Sequence, residues 1–270
     1  MKITINNTQL NYEIVGTGFP VYFFHGMSQD STSMIENYEP LMTTGIKRIY
    51  LDLPGMGDSQ DVSLVHNSDD VLRLVIDFIN QITGDQSIAI CGHSYGGYIC
   101  LGLIDKLGSK IESAFLTCPV VHADKENRDI SAHKNIIQEK LETTDPNYQK
   151  FLDMNVLINL KAWDNYQKAI IPGANKFNLA FWNQIKASHN YSFSFEKELV
   201  ADLTSNNSDV TILLGTNDQI VGYRDQLGLL NPANEIQIMV LNDAGHNLFT
   251  DRPKDWQDQF KKFSKSIKKI

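Results

Sequence analysis

Eight short apolar runs, separated by segments with helical periodicity, most restrict the fold of this chain. The runs are KITIN, LNYEIV, PVYFFHG, RIYLDLPG, SIAICG, IESAFLTCP, DVTILLG and EIQIMVLND. Most of them are continuously apolar, which is typical of strands that are buried on both faces of a parallel sheet. We therefore predict an α/β fold with a mostly parallel eight-stranded sheet flanked by helices, in which the first two runs form a β-hairpin.

Two segments show helical periodicity most clearly. Between the fourth and fifth runs, one helical face carries Val71, Leu74, Val75, Phe78, Ile79 and Ile82, and Ser68 is the predicted N-cap. Near the C-terminus, one face carries Trp256, Phe260, Phe263, Ile267 and Ile270. This second helix is rich in lysine and could lie on a membrane, but we favour packing on the domain with the lysines in water. Those lysines are Lys261, Lys262, Lys265, Lys268 and Lys269.

The composition limits the class of protein and its partners. Of the 270 residues, 42% are hydrophobic and 21% are charged, as in globular proteins with a large core. The formal net charge of −8 argues against a nucleic-acid partner, since nucleic-acid binding needs a basic face. No run approaches about 18 apolar residues, and the first residues lack the apolar core of a signal peptide. We therefore expect no membrane span and a cytoplasmic location.

The three cysteines are expected to be structural. Cys91, Cys100 and Cys118 lack the spacing of a metal site, and each lies in an apolar run. A buried thiol in such a run behaves as a small hydrophobic side chain. We therefore predict neither disulfides nor a metal site.

The alternation of strands and helices stops between about 121 and 195. This segment contains no convincing buried strand, is rich in polar residues and includes aromatic clusters such as AWDNY and NKFNLAFWNQ. A structureless loop of this length would be unusual, so a helical insertion is predicted. The chain would then consist of a core formed by residues 1–120 and 196–270, with residues 121–195 as the insertion.

The stretch ICGHSYGGYICL places a serine between closely spaced glycines. A G-x-S-x-G match alone is weak, but here a predicted strand runs into Gly92 and a helical pattern follows Gly97. This order is that of a nucleophile elbow, a sharp turn that presents a serine hydroxyl above the edge of the sheet. We predict Ser94 as the nucleophile; the alternative is a purely structural turn.

A nucleophilic serine needs a base, and the base needs an acid that orients it. His246 follows the last predicted strand and is the candidate base. Asp218 follows the preceding strand and is the candidate acid, because the chain order nucleophile, acid, base suits this architecture. Asp243 lies only three residues before His246 and is more typical of a turn.

The reaction also needs donors for a developing oxyanion. The motif FFHGM ends the third predicted strand at the same sheet edge as Ser94, so the backbone N–H groups of Met27 and Tyr95 are the predicted oxyanion hole. The alternative for FFHGM is a plain strand-exit turn.

Candidate substrate contacts are His25, Ser28, Phe181 and Trp182, although aromatic residues of an insertion more often attach it to the core.

Five motifs, FFHGM, LDLPGMGDS, GHSYGG, GTNDQIV and NDAGHNLF, occur in this order. On these motifs the chain resembles the serine-nucleophile, carboxylesterase-like branch of the α/β-hydrolase fold superfamily. The resemblance covers the chain outside residues 121–195, a segment that matches the position of the family's cap. It also implies a structural turn for Asp52 to Ser59 and names Asp124 as the alternative acid.

The resemblance also argues against some of the family's chemistries, and it disfavours an aminopeptidase-like reaction, which stays an alternative. Haloalkane dehalogenases and epoxide hydrolases use aspartate at the elbow, whereas this chain has Ser94. The HGGG motif of many lipases is absent, and Tyr95 with His25-Gly26-Met27 departs from the tryptophan and HGGPG of proline-releasing aminopeptidases.

We therefore expect a serine hydrolase that cleaves a small carboxylic ester through an acyl-enzyme, with a small-molecule acyl substrate and no metal or organic cofactor. The alternatives are aminopeptidase-like, C–C bond or other acyl hydrolysis, acyl transfer to an alcohol, and a non-catalytic receptor for a small ligand.

Overall fold

The computed structural model describes residues 1–188, 190–202, 208–231 and 235–267. Its strands are β1 (Lys2–Ile5), β2 (Thr8–Val15), β3 (Phe19–Phe24), β4 (Ile46–Leu51), β5 (Ile88–His93), β6 (Ile111–Thr117), β7 (Ile136–Ile137), β8 (Leu157–Ile158), β9 (Asp209–Gly215) and β10 (Ile236–Leu241). Its α-helices are α1 (Ser31–Tyr38), α2 (Ser68–Thr83), α3 (Tyr95–Leu107), α4 (Tyr148–Met154), α5 (Leu160–Ala169), α6 (Ile171–Asn175), α7 (Leu179–Ala187), α8 (Glu196–Asp202), α9 (Arg224–Leu227), α10 (Leu248–Asp251) and α11 (Pro253–Ser266). Short 3₁₀ helices span Glu39–Leu41, Gly108–Lys110 and Lys125–Asn127.

Eight strands form one sheet in the order β1-β2-β4-β3-β5-β6-β9-β10. The pairs β1–β2 and β2–β4 are antiparallel, and all the other neighbours are parallel. The predicted sheet and its opening hairpin are thereby confirmed. The hairpin turns at Asn6 and Asn7, whose φ angles of 47° and 63° are those that a two-residue type I′ turn requires.

Both faces of the sheet are covered by helices. In the fully buried strand β3, successive side chains point to opposite faces. The ring of Tyr22 lies 6.0 Å from that of Phe78 on α2, whereas the ring of Phe23 lies 5.2 Å from that of Tyr38 on α1. Burial on both faces explains why these strands are continuously apolar in the sequence.

The C-terminal helix packs on the domain, as predicted. The ring of Trp256 on α11 lies 4.9 Å from that of Tyr38, and the ring of Phe260 lies 5.3 Å from that of Phe115 on β6. The lysines Lys261, Lys262 and Lys265 are exposed. Residues 268–270, with two of the predicted lysines and the last predicted apolar position, lie outside the described residues.

The N-cap of α2 differs from the prediction. The side chain of Asn67 accepts the N–H of Asp70 at 2.7 Å and caps the helix. Ser68 is instead the first helical residue, and its hydroxyl lies 3.0 Å from that of Tyr95 and donates to the carbonyl of Tyr191 at 2.7 Å. This serine therefore joins α2 to the start of α3 and to the end of the inserted segment.

The motif LDLPGMGDS forms a turn that is tied to the sheet. The buried carboxylate of Asp52 accepts the side-chain amide of Asn11 at 2.9 Å and the backbone N–H groups of Ser31 at 2.8 Å and Asp58 at 2.9 Å. The hydroxyl of Ser59 donates to the Asp52 carbonyl at 2.7 Å. These contacts suit the structural role expected for this turn.

Residues 121–195, here called the inserted segment, contain helices α4 to α7. They also contain a small parallel sheet of β7 and β8, which the prediction of a purely helical insertion missed because each strand is only two residues long. Helices α5 and α6 pack on α1. At the other end of the segment, the ring of Phe193 stacks on that of Tyr98 with the centroids 4.0 Å apart.

The three cysteines are free and buried, as predicted. Burial raises the pKa of the thiols of Cys91, Cys100 and Cys118 well above the ordinary value. Within the described ranges, every helix is too short or too polar to cross a lipid bilayer.

A close backbone contact on α6 predicts the effect of one substitution. A Cβ atom on Gly173 would lie 2.4 Å from the amide nitrogen of Asp30 and 2.4 Å from the carbonyl carbon of Gln29. Although alanine is the better helix former, we expect Gly173→Ala to lower the free energy of unfolding by about 1–3 kcal/mol, because backbone must move.

Urea denaturation would measure this change, with Gly228→Ala as the matched control. The corresponding Cβ at Gly228 would meet one atom, the carbonyl oxygen of Asp225 at 3.1 Å, so we expect a change within about 1 kcal/mol. Equal effects of the two substitutions would contradict the tight contact of α6 with the loop before α1.

Candidate active site

A strained turn connects β5 to α3. Its central residue, Ser94, has φ 54° and ψ −115°, a backbone conformation that residues other than glycine rarely adopt. A Cβ atom on Gly96 would lie 2.1 Å from the carbonyl oxygen of Phe24 at the end of β3, and one on Gly97 would lie 2.7 Å from Cβ of Pro119. The glycines that follow the serine are therefore required by the close approach of neighbouring chain segments.

Three side chains that are distant in the sequence meet above this turn. Nε2 of His246 lies 2.8 Å from the hydroxyl oxygen of Ser94, and Nδ1 of His246 lies 2.8 Å from Oδ2 of Asp218. The other carboxylate oxygen of Asp218 accepts the backbone N–H groups of Ile220 at 2.8 Å and Val221 at 3.0 Å. Since a carboxylate can only accept, Nδ1 carries the proton in the neutral ring and Nε2 can accept the serine proton.

The electrostatics of this group favour an ionised Asp218. Burial by itself raises the pKa of this carboxyl, but the charge and hydrogen bond of His246, together with the N–H groups of Val221 and Ile220, lower it below the ordinary value. His93 lies next to the group, with its ring centroid 4.9 Å from that of His246. Burial and the charge of His246 lower the pKa of His93 to about 3, so this second imidazole is neutral near pH 7.

The predicted oxyanion donors lie beside Ser94. A Cβ atom on Gly26 would be 3.2 Å from Cβ of Ser94, so the loop after β3 lies close to the serine. Met27 follows in that loop and lines the same cavity as Ser94. Tyr95 is the first residue of α3, so its N–H has no acceptor within the helix.

The other two candidate acids lie elsewhere. Asp124 is exposed, and its side chain caps the 3₁₀ helix Lys125–Asn127. Asp243 is exposed, forms an ion pair with Lys134 and has a φ of 54°, in keeping with the turn predicted for it. Asp218 is therefore the carboxylate that contacts His246.

A buried carboxyl group that sequence reasoning missed supports the histidine loop. Oδ1 of Asp251 accepts the backbone N–H groups of Val156 at 2.9 Å and Leu157 at 2.8 Å, both in the inserted segment. Its Oδ2 accepts the N–H of Gly245 at 2.8 Å, immediately before His246. Asp251 thus connects the inserted segment to the loop that carries the histidine. Its position five residues after His246 is the one signal in the sequence that could have identified it.

A cavity of about 540 Å³ opens onto Ser94 and His246. Its lining includes Met27 and Ser28 from the loop after β3, so the structure places the predicted contact Ser28 at the site. Residues of the inserted segment such as Tyr191 form another part of the wall. A volume of this size accommodates a small organic molecule.

The other three predicted contacts do not line this cavity. His25 is buried, with Nε2 accepting the N–H of Leu53 at 3.0 Å and Nδ1 2.8 Å from the carbonyl oxygen of Gly26. Phe181 and Trp182 lie against the turn formed by LDLPGMGDS, where both rings approach its first glycine. The contacts of these three side chains hold loops and the inserted segment in place, away from the cavity of Ser94.

One group in the described part of the chain has the spacing of metal ligands. Candidate ligand atoms of Cys118, Asp218 and His246 lie within 4.8 Å of one another. However, both ring nitrogens of His246 already take part in hydrogen bonds, and burial keeps the Cys118 thiol protonated by raising its pKa. The donor set therefore does not fit a metal ion.

The sheet topology, the serine at the turn after β5 and the histidine that follows the last strand define an α/β hydrolase. The family model described as serine aminopeptidase, S33, matches residues 20–253, and the chain belongs to this family.

Solved structures support the same class. A crystal structure of an α/β superfamily hydrolase from Oenococcus oeni PSU-1 has a TM-score of 0.91 and 38% identity, and the match covers 97% of each chain. A thermophilic esterase from Thermogutta terrifontis has a TM-score of 0.70 at 19% identity, with 98% of this chain and 97% of the other covered. The second likeness concerns the fold alone.

Curated relatives match over shorter regions. A 2-hydroxy-6-oxo-6-(2'-aminophenyl)hexa-2,4-dienoic acid hydrolase of Metapseudomonas resinovorans is 26% identical over 116 residues, which is 42% of this chain and 40% of that protein. A protein of Mycobacterium phage D29 is 28% identical over 102 residues, which is 38% of this chain and 36% of that protein. These matches span about two fifths of the curated relatives.

Replacement of Asp251 by asparagine tests its role as a connector. Asparagine has one acceptor oxygen, so it leaves a backbone N–H facing an NH₂ group, and we expect Asp251→Asn to lower the free energy of unfolding by about 1–3 kcal/mol. Burial raises the pKa of Asp251 to about 6. The folded state thus binds this proton more tightly than the unfolded state. The protonated carboxyl of Asp251 therefore adds its whole contribution to the free energy of unfolding below about pH 4, and this contribution is lost as the pH rises through 6.

The advantage of the wild type over Asp251→Asn should therefore be larger at pH 4.5 than at pH 7.5. Urea denaturation at the two pH values measures it. The control is Asp258→Asn, an exposed partner of Lys254 that should change stability by less than about 1 kcal/mol. An advantage that grows towards pH 7.5 would contradict the raised pKa.

Proposed function

We propose that this chain is a serine hydrolase that cleaves a carboxylic ester of a small substrate through an acyl-enzyme. The observation that carries the proposal is the unbroken pair of 2.8 Å contacts from Asp218 through His246 to Ser94, ending at a hydroxyl that faces a cavity. In a buried site such a chain of groups has one evident chemical use, the activation of the hydroxyl as a nucleophile.

In the first step, the oxygen of Ser94 bonds to the ester carbonyl carbon while Nε2 of His246 takes the hydroxyl proton. The carbonyl π electrons move to its oxygen, and the imidazole becomes positively charged. The ionised Asp218 stabilises that charge and keeps the ring in the tautomer that the step requires. Because His93 is neutral near pH 7, it adds no competing positive charge.

The negative oxygen of the tetrahedral intermediate is assigned to the N–H groups of Met27 and Tyr95. Both are backbone donors beside Ser94, and that of Tyr95 also belongs to the positive end of α3. One such donor is typically worth about 3 kcal/mol of transition-state stabilisation.

The intermediate collapses when the C–O bond to the alcohol breaks and His246 returns its proton to the leaving oxygen. Water then attacks the acyl group and gives a proton to His246. Release of the carboxylic acid regenerates the Ser94 hydroxyl. Each proton is carried by the same imidazole, so the proposed reaction requires no metal or organic cofactor.

We also infer that residues 121–195 act as a cap over a core of residues 1–120 and 196–270. Much of the cavity wall, including Arg128, Tyr166 and Tyr191, comes from that segment. The charge of this wall favours an ester substrate over a peptide with a free amino terminus. An aminopeptidase must hold a positively charged ammonium group, whereas Asp153 is the single acidic residue among the described residues that line the cavity.

Replacement of the nucleophile tests the proposal directly. We expect Ser94→Ala to reduce hydrolysis of p-nitrophenyl acetate by at least about 10⁴-fold while leaving the urea midpoint close to that of the wild type. A fluorophosphonate probe should label the wild type and the control variant Ser188→Ala, but not Ser94→Ala. An unlabelled wild type would favour the non-catalytic receptor, and retained turnover in Ser94→Ala would remove the nucleophile.

The acid is tested by an isosteric change. Asp218→Asn removes the negative charge and favours the wrong imidazole tautomer, so we expect kcat to fall by about 10⁴-fold. The control Asp124→Asn removes an exposed carboxylate and should leave kcat within about twofold of the wild type. If the two variants exchanged these effects, Asp124 would be the acid.

A further inference from the structure

The charge of the cavity is opposite to that of the whole protein. The chain has a net charge of −8, yet the cavity that contains Ser94 is lined by four basic side chains and one acidic one. The basic residues are Lys125, Arg128, Lys150 and Lys186, and the acidic one is Asp153. Such a local excess attracts anions and repels cations.

We propose, as a refinement that rests on the proposed ester hydrolysis, that the substrate carries a carboxylate or phosphate group bound by Arg128, Lys125 and Lys186 while its ester carbonyl lies at Ser94. The two kinds of anion share the chemistry that these side chains recognise, namely negatively charged oxygens that accept several N–H bonds.

Arg128 is held in place without being neutralised. Its Nε donates to the carbonyl of His122 at 2.7 Å, Nη1 to that of Ile220 at 3.0 Å and Nη2 to that of Ala123 at 2.7 Å. The Tyr191 hydroxyl oxygen also interacts with this guanidinium group. A guanidinium group has five N–H donors, so at least one is left for a ligand. The three carbonyls fix the orientation of the group, and its full positive charge is available to a ligand.

Lys125 and Lys186 add like charges close to Arg128. Burial and the positive charges of Lys125 and Arg128 lower the pKa of Lys186, although its side chain retains contact with solvent. None of these three cations takes part in an ion pair within the described ranges. A bound anion would reduce the repulsion among these three cations, and this favours the binding of an anionic group.

The acidic groups nearest in the sequence line a different cavity, which Lys125 and Lys186 border as well. Asp124 and Glu126, on either side of Lys125, line a neighbouring cavity of about 620 Å³ that does not include Ser94. Glu196 lines that neighbouring cavity too, and its carboxylate accepts the Tyr98 hydroxyl and the N–H of Ala123. These carboxylates line the neighbouring cavity and not that of Ser94, and among the described residues none of them forms an ion pair with Lys125, Lys186 or Arg128.

The remainder of the lining is largely apolar. Met27, Val120, Ile170 and Ile220 line the same cavity as Ser94. A matching substrate would carry an apolar link between its ester carbonyl and its anionic group. Dicarboxylic acid monoesters and acyl chains that end in a phosphate have this form.

Three p-nitrophenyl esters of equal chain length test the proposal. They are the hydrogen adipate, its methyl ester and the 5-phosphonopentanoate. The methyl ester differs from the hydrogen adipate in lacking the negative charge, and the 5-phosphonopentanoate differs from it in the kind of anion. We expect kcat/KM for at least one anionic ester to exceed that for the neutral ester by about tenfold or more, the effect of one charge-assisted hydrogen bond. The larger of the two anionic rates identifies carboxylate or phosphate as the preferred group.

Two variants locate the effect. The double variant Lys125→Gln/Lys186→Gln should reduce the ratio of anionic to neutral kcat/KM towards one. The control Lys168→Gln removes the same kind of charge from an exposed position of α5 that does not line the cavity, and it should keep the ratio. Equal kcat/KM values for all three esters in the wild type, or a ratio that the double variant leaves unchanged, would overturn the proposal.

The outcomes separate this inference from the proposed function. Turnover of the neutral ester without any anionic preference overturns the inference and leaves ester hydrolysis standing. If no ester is turned over, ester hydrolysis fails, and calorimetric titration of the Ser94→Ala protein with the hydrogen adipate and methyl adipate esters decides the inference by itself. Tighter binding of the anion would support it, and equal affinities would overturn it.

Discussion

The site depends on the close packing of backbone against backbone around the turn between β5 and α3. The unfavourable φ of Ser94 is compensated locally, because its N–H donates to the Thr117 carbonyl at 3.0 Å and its carbonyl accepts the N–H groups of Tyr98 at 3.0 Å and Val120 at 3.2 Å. Gly96 allows the end of β3 to approach this turn. The close approach that Gly96 permits therefore also brings the loop with Met27, which follows β3, near the serine.

His246 follows β10, the edge strand of the sheet, and the loop that carries it is held by Asp251. Asp251 binds the backbone before His246 with one oxygen and the inserted segment with the other. Val156 follows closely after Met154, which lines the cavity, so a group that fixes both this stretch and the imidazole loop makes their positions interdependent. In the proposed enzyme, movement of the inserted segment would thus be transmitted to the base, which suits a site where the cap and the reacting groups must be arranged together.

Charge is distributed unevenly in this molecule. The acidic overall charge repels anions at long range, whereas the basic side of the cavity attracts them at short range. Screening by salt weakens the first effect more than the second, because the cavity is partly shielded from solvent. Selection of an anionic substrate would therefore depend on contacts inside the cavity rather than on steering from a distance.

Local pattern was enough to predict the sheet and the helices α2, α3 and α11. It also indicated that Ser94, Asp218 and His246 converge, because residues that follow parallel strands meet at one edge of the sheet. The same reasoning failed where a side chain had two possible partners. Ser68 suits an N-cap by type, but the neighbouring Asn67 caps α2, and His25 binds backbone instead of facing the cavity. Tertiary structure alone decided the contacts of Asp251, the packing of Trp182 and the grouping of Arg128 with two lysines. Such contacts join residues far apart in the chain, and no periodicity or motif in the sequence records which distant groups will share a cavity wall.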